Sequence, residues 1–134
     1  MNKYVVGFLK EKDRILLIEK KRPNWQAGKL NGIGGHIEAA ESSLMAMRRE
    51  FREETGLVIQ DWTKSVIMQG PDWIVHVFFA YGPIYQAKSI TDEQILVVFA
   101  RSLPYHTLPN LHWLIPLSFD KQVMKPIEIR YSNS

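Results

Sequence analysis

The stretch Ser42 to Thr55 holds neither glycine nor proline and sets Leu44, Met47 and Phe51 three and four residues apart, which predicts an amphipathic helix. Ser42 or Ser43 is placed to cap its start, and Gly56 suits a left-handed stop. The other apolar segments keep a different rhythm. Tyr4 to Leu9, Ile15 to Glu19, Val58 to Met68, Trp73 to Tyr81 and Gln94 to Ala100 are rich in β-branched and aromatic residues, with Gly70-Pro71 and Gly82-Pro83 as breaks. They read as strands, the first two joined into a hairpin by Lys10 to Arg14. Pro23 to Gly28 reads as a loop, and Gly28, Gly32, Gly34 and Gly35 permit unusual backbone angles just before the helix. Leu108 to Phe119 predicts a second, shorter helix that Pro116 limits or kinks, and Val123 to Tyr131 a closing strand. Helices packed on a sheet make this a mixed α/β domain.

No repeat, low-complexity tract or linker interrupts the pattern, so residues 1–134 are expected to form a single domain. With 46% hydrophobic and 23% charged residues, a packed core is expected rather than disorder. The net charge of +3 suits an anionic ligand. Lys20-Lys21-Arg22, the densest basic cluster, is too short to argue for duplex nucleic acid. Zero cysteines exclude disulfides, thiolate nucleophiles and Cys-ligated metals, which leaves carboxylates, His, hydroxyls or oxygen-ligated cations to carry chemistry. Met1 to Gly7 lacks a signal-peptide stretch, and Ile95 to Ala100 is too short to span a bilayer, so a cytoplasmic location and no membrane partner are expected.

The chemistry concentrates in Arg48-Arg49-Glu50-Phe51-Arg52-Glu53-Glu54. Glu50 lies three residues from Glu53 and four from Glu54, so the carboxylates share one helix face. Each like-charge pair costs about 0.2–0.5 kcal/mol, and each anion near the helix carboxyl end opposes the macrodipole by about 0.3–1 kcal/mol. Arg49 relieves some of this by pairing with Glu53, in the weaker order for such pairs. One reading is a solvated charged face. The other is that a divalent cation converts repulsion into coordination, since Mg²⁺ takes carboxylate oxygens together with waters and substrate phosphate. Gly34 and Gly35 upstream favour the second, because main-chain groups there can approach a metal or phosphate closely.

Gly35, Glu41, Arg49, Glu50, Phe51, Glu53, Glu54, Gly56 and Leu57 fall in the pattern G-x5-E-x7-R-E-U-x-E-E-x-G-U, with U a bulky apolar residue, and this resembles the Nudix box. Seven fixed residue types at about one in twenty each make a chance match on the order of one in 10⁹. Phe51 is bulkier than the usual aliphatic, and Ala40 stands where a glycine is common. Lys21-Arg22, Gly28 to Gly35, Val75 to Phe78, Asp92-Glu93 and Trp113 to Pro116 extend the likeness toward MutT-type nucleoside triphosphate diphosphatases. The resemblance implies the Nudix α/β/α sandwich, a mixed sheet with the box as loop–helix–loop.

It also implies hydrolysis of a phosphoanhydride, assisted by Mg²⁺ with Mn²⁺ as a substitute. Glu53 and Glu54 are then the principal metal ligands, with Glu50 completing the cluster or accepting the water's proton, and the Gly34 carbonyl a further ligand. Arg49 orients the glutamates, and Glu41 ties the loop to the helix. Glu93 is read as a distal metal ligand or base, or else as an exposed turn acid, with Asp92 as its rival. Lys21 and Lys29 are candidates for the phosphates, or ordinary solvated lysines. Asn31 and Asn110 are candidates to read the base, since an amide both donates and accepts; their rival roles are a turn residue and a helix cap. His36 stands where relatives carry Lys or Arg. His76, His106 and His112 show no zinc spacing. The implied partner is a nucleotide substrate, with oxidised dGTP leading, a nucleoside diphosphate derivative second and a non-catalytic sensing module third. Oligomeric state is not legible.

Overall fold

The hairpin forms with a tighter turn than expected. In the computed structural model, which describes residues 1–132, β1 (Asn2–Glu11) and β2 (Arg14–Glu19) leave only Lys12 and Asp13 between them, with Lys12 at φ 54°. Side chains of β1 alternate between two cores: Val5 and Leu9 enter one, Val6 and Phe8 the other. That is why its apolar run is continuous.

Along one edge β1 pairs in parallel with β6 (Trp73–Tyr81), from Asn2 opposite Trp73 to Lys10 opposite Tyr81. Its other edge is shared: Leu9 to Glu11 pair with β2, while Tyr4 to Gly7 pair with β4 (Ile33–His36). With β3 (Leu30–Asn31), β5 (Thr63–Gln69), β7 (Ile95–Phe99) and β8 (Ile127–Arg130), the mixed sheet runs β3-β2-β1-β6-β5-β8, with β4 added to β1 and β7 to β2. Two expected strands are shorter than read: β5 begins at Thr63 rather than Val58, and β8 covers only part of Val123 to Tyr131.

The glycine-rich segment after Gly28 forms two short strands. Leu30-Asn31 pairs with β2 and Ile33 to His36 with β1, so the chain changes partner at Gly32. Only Gly28 of this group has a positive φ, 80°. The others are needed for close approach: a Cβ on Gly34 would lie 1.8 Å from the Val5 carbonyl oxygen, and one on Gly32 would lie 2.7 Å from the Val6 side chain.

Helix α1 (Ser43–Thr55) covers one face, burying Ala46, Met47 and Phe51 with Trp62 and Phe78. Burial contributes about 1.5–3 kcal/mol for each large side chain. Helix α2 (Leu111–Phe119) covers the opposite face through Leu111, Leu114 and Ile115. Pro116 sits inside α2 with its ring exposed and does not end it. The layers are therefore helix, sheet, helix. Among the described residues no helix is long and apolar enough to cross a membrane.

Candidate active site at the carboxyl end of α1

Both ends of α1 are closed by local chemistry. Ser42 Oγ accepts from the Met45 N–H at 3.1 Å, and Gly56, at φ 73°, donates to the Arg52 carbonyl at 2.9 Å. The register of Arg49, Glu50, Glu53 and Glu54 is thereby set.

Arg49 organises the face. Its Nε and Nη2 donate to the two oxygens of Glu41 at 2.7 and 3.0 Å, and Nη2 also reaches the His36 carbonyl at 3.0 Å. Its Nη1 donates to Glu50 at 3.0 Å and to Glu53 at 3.2 Å. The fork clamps the loop before α1 onto the helix, as expected for Glu41 and Arg49, and holds the Glu41 carboxyl below its ordinary pKa through the hydrogen bond. Glu53 remains half exposed.

Glu50 and Glu54 are in a different condition. Burial pushes the Glu50 carboxyl up despite Arg49, and a Cβ on Gly35 would sit 2.6 Å from Glu50 Cδ, so this glycine makes room for the carboxylate. Burial pushes Glu54 up to about 7; the Lys20 charge pulls it down, while Glu50, Glu93 and Glu53 add to the rise. Its Oε2 is buried without a hydrogen-bond partner. Leaving a buried oxygen in this state costs about 1–3 kcal/mol or more, so the site disfavours the folded chain unless a proton or cation joins it.

Glu93 is no exposed turn acid. It is only 4% exposed, accepting from the Lys20 ammonium at 3.1 Å and the Lys21 backbone N–H at 2.6 Å. Burial pushes its carboxyl up, but these bonds outweigh burial and hold it below the ordinary value. Neighbouring Asp92 turns outward and pairs with Arg22 at 2.5 Å. Adjacent acids thus face opposite environments, and Glu93 is the one within the electrostatic reach of Glu54.

The residue of this cluster hidden in the sequence is Lys20, which reads there only as part of a basic run. Its signal is alternation: Leu16 and Ile18 enter the α1-side core, and Lys20 continues that face one step past β2. Lys21 and Lys29 place exposed side chains on the neighbouring loop. Asn31 Oδ1 accepts from the Gly32 N–H at 2.7 Å and its Nδ2 donates to Gln26 at 3.0 Å, which is the turn role, with capacity for one further bond at each atom. Asn110 occupies the N-cap position of α2 without a side-chain cap bond. Gly34 lies in β4 opposite Val6. His36 packs its ring 4.5 Å from that of Tyr4.

Among the described residues no three His, Asp or Glu side chains stand as a ready-made cation cage, because Arg49 engages Glu50 and Glu53 and Lys20 engages Glu93. The orphaned Glu54 oxygen and the all-carboxylate donor set nevertheless fit a hard divalent cation.

Comparison with known proteins places these features in context. A family model described as NUDIX domain matches residues 2–119. The chain is 36% identical over 92 residues to the 8-oxo-dGDP phosphatase of Homo sapiens, covering 66% of this chain and 28% of that protein. It is 48% identical over 46 residues to the oxidized purine nucleoside triphosphate hydrolase of Danio rerio, covering 34% of this chain and 29% of that one. This chain therefore matches less than a third of the length of either relative. Its fold superposes on a MutT NUDIX hydrolase from Burkholderia pseudomallei with a TM-score of 0.76 at 21% identity, covering 87% of this chain and 96% of the other.

Proposed function

Because the chain belongs to the NUDIX domain family, whose members generally use divalent cations, we propose that it is a Mg²⁺-dependent hydrolase of an oxidised guanine nucleoside triphosphate, releasing the monophosphate and pyrophosphate. The observation that carries this reading is the buried, unpartnered Glu54 oxygen beside Glu50, Glu53 and Glu93. The names of the two relatives support an oxidised purine substrate.

Glu53 and Glu54 would hold the cation, with Glu50, Glu93 and the main chain at Gly34 completing its surroundings. When bound, the ion neutralises phosphate charge and lowers the pKa of an attacking water. Glu50 would accept a proton from the attacking water, and the burial that raises its affinity for a proton supports that role. Arg49 keeps Glu41, Glu50 and Glu53 in register. Lys20 holds Glu93 toward Glu54. Lys21 and Lys29 reach the phosphates from their loop, and Asn31 and Asn110 read the base with the amide capacity they retain. A second reading, cleavage of the diphosphate, is favoured by the relative named as an 8-oxo-dGDP phosphatase.

The test is product analysis with Mg²⁺ and a panel of dGTP, 8-oxo-dGTP, 8-oxo-dGDP, ADP-ribose and a diadenosine polyphosphate. Preferential release of pyrophosphate from 8-oxo-dGTP is expected. Release of inorganic phosphate from 8-oxo-dGDP alone would transfer the assignment to the second reading, and binding without turnover would make the protein a sensor.

A further inference from the structure

A cavity of about 420 Å³ opens on the α2 face. Lys10, Arg101 and His112 contribute its polar lining, and Leu103, Ile115 and Phe119 its apolar wall. It is remote from the carboxylates. Glu50 packs on Gly35, which pairs with Val5, whereas Lys10 lies five positions further along β1, about 16 Å at strand rise, and on the opposite face of the sheet.

Three features describe what could occupy it. No acid lines the cavity, and among the described residues neither the Lys10 nor the Arg101 side chain makes a hydrogen bond or ion pair; the Lys10 ammonium rests over the Phe119 ring, 4.9 Å from its centroid. The positive charge is thus uncompensated by protein and complementary to an anion. The wall is hydrocarbon, continued outward by Tyr81 packed against Phe119 at 5.4 Å. The polar lining is nitrogen-based, from Lys10, Arg101 and His112, with no carboxylate to repel an anionic head, and the rest of the wall is apolar.

We propose that this cavity is an accessory site for an organic anion with a plain apolar body, a carboxylate or phosphate ester held between Lys10 and Arg101 with its hydrocarbon against Leu103, Ile115 and Phe119.

Titration of the isotope-labelled chain with octanoate and with phenyl phosphate tests the assignment by NMR, the two acids separating carboxylate from phosphate preference. Saturable shifts at Leu103, Ile115 and Phe119 are expected from at least one acid, with octanol and phenol at least about tenfold weaker. Exposed Arg101→Glu should weaken the acid about tenfold while the rest of the spectrum stays native, and Glu54→Gln should leave the shifts in place. Tighter binding of dGMP than of either acid at these residues, binding that survives Arg101→Glu, or shifts confined to Asn31 and α1 would each overturn the proposal.

Discussion

α1 and α2 lie on opposite faces of one sheet and are secured by different chemistry. α1 has a side-chain cap, a left-handed glycine stop and an arginine network, yet ends in buried acids that oppose folding. α2 has no side-chain cap and no charged residue in its terminal turns; buried Leu111, Leu114 and Ile115 hold it, with a 2.8 Å contact between the Ser118 and Ser65 hydroxyls beneath. The contrast teaches that one face supplies cohesion, and that the surplus lets the other carry groups that gain full value only with a ligand.

The sharpest way to break this contrast is Glu54→Gln. Turnover should fall by about 10³-fold or more, equivalent to about 4 kcal/mol of barrier, while the thermal midpoint without metal does not fall. The pH dependence follows from the raised pKa. Since the Glu54 carboxyl titrates near 7 in the folded chain, above the ordinary 4.5, its penalty is absent below pH 4.5 and complete above 7. The variant's midpoint advantage should therefore widen as pH rises through that window, and Mg²⁺ should shrink it. A pH-independent difference would place Glu54 outside the strained set.

On the other face, Leu114→Ala should cost about 3 kcal/mol in denaturant unfolding through transfer and cavity terms, with activity per folded molecule unchanged. A matched loss of specific activity would show the faces to be coupled. The caps offer a finer comparison: Ser42→Ala should remove about 1 kcal/mol. Asn110→Ala should leave stability within about 0.5 kcal/mol because its side chain makes no cap bond, while shifting base preference in the substrate panel. A change of opposite sign is expected at Ala40, whose φ of 66° lies in the left-handed region. Ala40→Gly should stabilise by about 1 kcal/mol with no change in metal requirement.

Features set by local spacing are legible in the sequence alone. The helix, both its caps and the face shared by Glu50, Glu53 and Glu54 all follow from offsets within one short stretch. What distant strands create is not legible in this way. Gly32, Gly34 and Gly35 read as sites of unusual backbone angles because glycine freedom is a local property, whereas each makes room for atoms of β1 or α1 that sequence proximity does not reveal. Glu93 could be read from sequence either as a distal ligand or as a solvent-facing turn acid, because its partners, Lys20 and the Lys21 backbone, lie more than seventy positions upstream. Lys20 is hidden by its cationic neighbours, although its step past Ile18 already carries the information.

The parallel pairing of β1 with β6 has a consequence for assembly on the ribosome. The first strand cannot meet its full-length neighbour until Tyr81 has emerged, nor Lys20 its acid until Glu93 follows. Folding dominated by such distant encounters is slow, because chain closure precedes any reward. The acidic helix can coil early, but its surroundings mature only after Glu93 has emerged, so a nascent chain should remain inert toward nucleotides until that point.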